Sequence, residues 1–64
     1  MKITVNGEQM NLQGTTLSDL LAELGHTGKL ATAVNEAFVP AAARDAHILD
    51  AGDRVEIVTP RQGG

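Results

Sequence analysis

The chain has 64 residues, of which 42% are apolar, and a formal net charge of −3 from five basic and eight acidic side chains. Nine of the 27 apolar residues are alanine, so 18 larger side chains remain for one thin core, with no room for a second domain or a deep catalytic cavity. Without cysteine there are no disulfides and no thiolate metal sites. The acidic balance opposes a phosphate backbone, and a single aromatic residue, Phe38, makes no stacking platform for single strands.

In chain order, Ile3 and Val5 alternate with Lys2 and Thr4, and Met10 and Leu12 with Gln9 and Asn11. Asn6-Gly7 lies between them and tolerates the positive φ angles of a tight turn, so residues 1–13 read as a hairpin. Leu17, Leu20, Leu21 and Leu24 then fall on one helical stripe that must pack on that hairpin. Thr16 is the expected N-cap, Asp19 its capping-box partner, and Gly25 the left-handed stop.

Leu30 to Asn35 reads as a third strand with Leu30, Thr32 and Val34 inward. Phe38-Val39-Pro40 is expected as a short edge strand, and Ala41 to Asp45 as one helical turn begun by Pro40. Asp50-Ala51-Gly52-Asp53 has turn chemistry. Arg54 to Thr59 is the last strand, with Val55 and Ile57 inward and Val58 outward beside Arg54 and Glu56. Pro60 ends it.

Two strands, a crossover helix and a closing apolar strand suit an α+β chain: a mixed sheet of four or five strands covered on one face by a short helix, the last strand lying parallel to the first. This is the β-grasp (ubiquitin-like) arrangement. It assigns residues 1–59 to the domain and 60–64 to a flexible tail ending in Gly-Gly.

No enzymatic centre emerges. Gly25-His26-Thr27-Gly28-Lys29-Leu30 has two residues between its glycines where a phosphate loop has four, and Leu30 where Ser or Thr is needed. His26 and His47 lack any metal-ligand spacing. Ser18 lies in the first helical turn with no nucleophile elbow. A small start without a long apolar run, and no span-length apolar stretch, point to a cytoplasmic protein.

The C-terminal Gly63-Gly64 has a chemical reading. Without Cβ atoms, both residues fit a narrow channel in any backbone conformation. The terminal carboxylate of Gly64 is ionised at neutral pH and able to attack the α-phosphate of ATP in a partner's active site. Gly64 is then the acceptor, Gly63 gives access, and Val58, Arg61 and Gln62 are candidate docking residues. An interaction module with a frayed end is the reading from a different class.

Val5-Asn6-Gly7, Thr16-Leu17-Ser18-Asp19-Leu20-Leu21, Ala33-Val34-Asn35-Glu36-Ala37-Phe38-Val39-Pro40, Gly52-Asp53-Arg54-Val55-Glu56-Ile57-Val58 and Gly63-Gly64 follow one another in order. This series resembles the ThiS sulfur carriers of thiamine biosynthesis. The resemblance implies a protein co-substrate without a bound cofactor. A ThiF-like adenylyltransferase with ATP would activate Gly64, and a thiocarboxylate there would supply sulfur to thiazole synthase (ThiG). A MoaD-like carrier for molybdopterin or another sulfur-containing product shares the same chemistry. The sequence departs from the family pattern in two places. Arg61-Gln62 precede the diglycine where an apolar residue is common, and Ala41 follows Pro40 where a basic one is.

Overall fold

The computed structural model describes residues 1–60. Strands β1 (Lys2–Val5) and β2 (Glu8–Asn11) form an antiparallel hairpin in which Ile3 faces Met10. Its turn is made by Asn6 at φ 48° and Gly7 at φ 85°, the pair of positive angles that matches the twist of the flanking strands.

The helix α1 (Leu17–Leu24) starts as its sequence specifies. The Thr16 side chain accepts from the Asp19 N–H, and the Asp19 carboxylate accepts from the backbone of Thr16. Asp19 also takes the Thr15 N–H at 2.8 Å. These backbone donors, Thr15 first and then Thr16, hold its carboxyl below the ordinary aspartate pKa. One turn further on, Glu23 accepts from the N–H groups of Gln13 and Gly14 at 2.9 and 2.6 Å. Two helix carboxylates thus satisfy four consecutive N–H groups of the incoming loop. Gly25 closes the helix at φ 75°.

Strand β3 (Ala31–Val34) is shorter than the expected Leu30–Asn35, because Asn35 takes φ 51° and leaves the strand. Strand β4 (Ala37–Val39) is the edge strand. A 3-10 helix, Ala41–Ala46, follows. Pro40 is its extended cap rather than its first residue (φ −68°, ψ 158°), and its carbonyl accepts the first bond, from Ala43. Strand β5 (Arg54–Val58) stops one residue before the expected Thr59.

The sheet order is β2-β1-β5-β3-β4, with β5 parallel to β1 and antiparallel to β3. Its central strands and α1 enclose a core of Ile3, Leu12, Leu17, Leu20, Leu21, Val34, Val39, Leu49, Val55 and Ile57. Leu24 departs from expectation at 39% exposure. It overhangs the end of the hairpin, where only Val5 and Met10 flank it on the apolar side of a surface groove. Thr32, buried in this core, donates to the Val39 carbonyl at 2.7 Å and accepts from Arg44 Nε at 3.0 Å. Each bond satisfies a group that burial would otherwise penalise.

Candidate functional site

Alternation along β5 decides what its open side presents. Val55 and Ile57 go into the core, so Arg54, Glu56 and Val58 stand on the face that α1 does not cover. Register then builds a surface from neighbours. Ala33 of β3 lies between Glu56 on β5 and Phe38 on β4, and Ala31 lies beside Val58. Because the two alanines are small, a shallow trough forms between Phe38 and Val58, floored by Ala31 and Ala33 and edged by Glu56. Phe38 is 69% exposed and Val58 64%. The trough is open to solvent and holds about 160 Å³, below the roughly 300–1,000 Å³ of pockets that enclose a small molecule. Its form suits a protein surface.

Next to it, Thr4, Gly7, Glu36, Arg54, Val55 and Glu56 line a second recess. Arg54 and Glu36 approach to 4.0 Å there, both largely exposed, so the pair adds little stability and leaves both charges available to a partner.

Val58 therefore stands where its alternation placed it. The other sequence-derived site residues, Arg61, Gln62, Gly63 and Gly64, lie outside the described residues. Phe38 escaped sequence reasoning because a three-residue strand gives too short an alternation to show which side is core. The available signal was Ala-Thr-Ala in β3, where small residues on one face leave a neighbouring aromatic uncovered.

The remaining candidates serve local structure. The Ser18 hydroxyl donates to the Asp45 carboxylate, which ties α1 to the 3-10 helix. His47 gives its carbonyl to the Leu17 N–H at 2.9 Å. The Gly25–Leu30 segment connects α1 to β3. Among the described residues no three His, Asp or Glu side chains gather to hold a metal ion, and no helix is long and apolar enough to cross a membrane.

The model of the ThiS family matches residues 3–64. Among solved structures, the chain is similar to the crystal structure of the thiamine biosynthesis protein ThiS from Geobacter metallireducens. The TM-score is 0.83 and the identity 28%, with all of each chain covered. It is similar also to the solution NMR structure of a thiamine biosynthesis protein from that organism, at TM-score 0.82 and 28% identity, covering all of this chain and 88% of that one. No curated protein sequence matches it. With the strand order, the covering helix and the family pattern in agreement along the chain, it belongs to the ThiS family, the β-grasp sulfur carriers of thiamine biosynthesis.

Proposed function

We propose that the carboxylate of Gly64 carries the sulfur and that the chain is a co-substrate of two enzymes in turn. In the first step a carboxylate oxygen attacks the α-phosphorus of ATP on a ThiF-like adenylyltransferase. Pyrophosphate leaves, and an acyl-adenylate forms. Hydrosulfide (HS⁻) released by a sulfur donor then attacks the Gly64 carbonyl carbon, the bond from that carbon to the AMP oxygen breaks, AMP departs, and loss of the proton leaves a thiocarboxylate. Thiazole synthase (ThiG) takes the sulfur from it. ATP belongs to the activating enzyme in this scheme, which suits a cytoplasmic carrier. Residues 1–59 provide recognition, and residues 60–64 bring the reacting atom to the enzyme.

The observation that carries this reading is where β5 ends. Val58 closes the strand beside the apolar trough, and Gly64 lies six positions further along the chain. A fully extended chain of that length spans about 20 Å. An enzyme that holds Gly64 in its active site therefore lies within that distance of Val58, and Phe38 is a large exposed anchor beside it. Buried aromatic anchors dominate interface energies. Val58 and Phe38 are thus the docking residues of the described part, with Arg61 and Gln62 continuing the contact.

Intact mass spectrometry tests the chemistry. Incubation with the activating enzyme, ATP and a sulfur donor should replace one oxygen of the chain by sulfur. Extending the chain by one alanine beyond Gly64 should abolish that change. An unaltered wild-type mass, or sulfur accepted by the extended chain, would show that Gly64 is not the acceptor.

A further inference from the structure

We propose that Asn6 is a positioning residue for the acceptor terminus, its side-chain amide replacing a missing peptide of β1 and fixing the end of β5. The inference rests on the carrier reading given above.

The backbone ladder between β1 and β5 runs out at Asn6. Its N–H donates to the Val55 carbonyl at 2.9 Å, and at the next residue the chain turns back through Gly7 into β2. Ile57, two residues further along β5, also needs an acceptor and a donor on this side. The Asn6 side chain supplies both. Its Oδ1 accepts from the Ile57 N–H at 2.9 Å, and its Nδ2 donates to the Ile57 carbonyl at 3.1 Å. A primary amide offers the donor and acceptor pair of a peptide group, whereas an aspartate offers acceptors alone. The bonds join residues 51 positions apart. They hold Ile57 on one side while β3 flanks it on the other through Thr32. Val58 is the next residue and the last of the strand.

A second asparagine braces the opposite end of β5 with its side chain. Asn35, at φ 51°, accepts from the Arg54 N–H through Oδ1 at 2.9 Å and donates through Nδ2 to Asp53 at 3.0 Å. The two residues share a left-handed backbone and a pair of side-chain bonds. Only Asn6 acts at the end of the strand that continues toward Gly64.

Without the Asn6 bonds the end of β5 is held on one side only, by Thr32 and Ala31 of β3, and the direction in which the chain leaves Val58 is less fixed. Small misplacements of a reacting atom cost large rate factors. Docking is retained, because Val58 keeps its place beside Ala31 and Phe38 its place beside Ala33. The signature is therefore a loss in kcat with little change in KM.

The full-length wild type, Asn6→Gly, Asn6→Asp and Asn35→Gly chains are compared in adenylation, followed as pyrophosphate release with the activating enzyme and ATP. Glycine accepts the positive φ at both positions, so the two glycine variants should lose similar thermal stability. Asn6→Gly should lower kcat by about 3–10-fold with KM within about twofold, and should speed hydrogen exchange at the Ile57 amide. Asn6→Asp keeps a residue tolerant of the left-handed turn and should fall between it and the wild type. Asn35→Gly should leave kcat unchanged. Equal kcat for Asn6→Gly and Asn35→Gly beside a normally adenylated wild type overturns this inference alone. A wild-type chain that is never adenylated overturns the carrier reading with it.

Discussion

On the covered side of the sheet, Ile3, Val34, Val55 and Ile57 join Leu17, Leu20 and Leu21 of α1 in one core, each less than a tenth exposed. One residue along on the central strands, and across on β4, Ala33, Glu56, Phe38 and Val58 form the other side, with alanine where a core would have leucine. Strand periodicity lets neighbouring residues serve separate ends. The covered side supplies the stability that a small chain needs, and the open side is free to be shaped for a partner.

Substitutions on each side should therefore separate two measurements. The largest effect is expected from Leu20→Ala. This side chain is fully buried, and large-to-small changes in such positions cost about 2–5 kcal/mol, a large share of the marginal stability of a small domain. Urea or thermal unfolding reads it, and a loss below about 1 kcal/mol would mean that α1 is not what holds the sheet.

Phe38→Ala should reverse the pattern. Stability should stay within about 0.5 kcal/mol, as for most exposed positions, while affinity for the activating enzyme drops about 30-fold, the equivalent of about 2 kcal/mol. An unfolding midpoint that moves as far as that of Leu20→Ala would erase the distinction between the two sides.

The smallest effect concerns the start of α1. The Asp19 carboxyl has a lowered pKa, so its ionised form favours the folded state. That contribution is complete above the unfolded aspartate pKa and is lost as pH falls through the folded value. Asp19→Asn should melt below the wild type at neutral pH, and the two should converge in acid. A gap that persists unchanged to the lowest pH would assign the effect to hydrogen-bond geometry rather than charge.

Legibility in the sequence follows distance along the chain. The Asn6-Gly7 turn, the Thr16–Asp19 box and the Gly25 stop depend on residues within a few positions of one another, and each took its expected form. The parallel placement of β5 beside β1 followed from its apolar run and the crossover helix. Leu24 failed because a helical stripe says nothing about where the sheet beneath it ends. The bonds from Asn6 to Ile57, Asn35 to Arg54, Glu23 to Gln13 and Arg44 to Thr32 were invisible for another reason. Each joins a polar side chain to a partner chosen only by the assembled fold. At the candidate site, Val58 was legible from alternation over five residues and Phe38 was not, its strand having three.

The pairing of the first strand with the last has a consequence for synthesis. The sheet cannot close its centre until β5 has been made, so folding waits on contacts between opposite ends of the chain. A nascent or truncated chain that stops before Arg54 lacks the strand that joins β1 to β3 and has no native core. Every copy that completes the sheet already includes β5 and the surface that Val58 shares with Phe38. The topology works as a proofreading device, withholding a recognisable surface from chains that stop before β5.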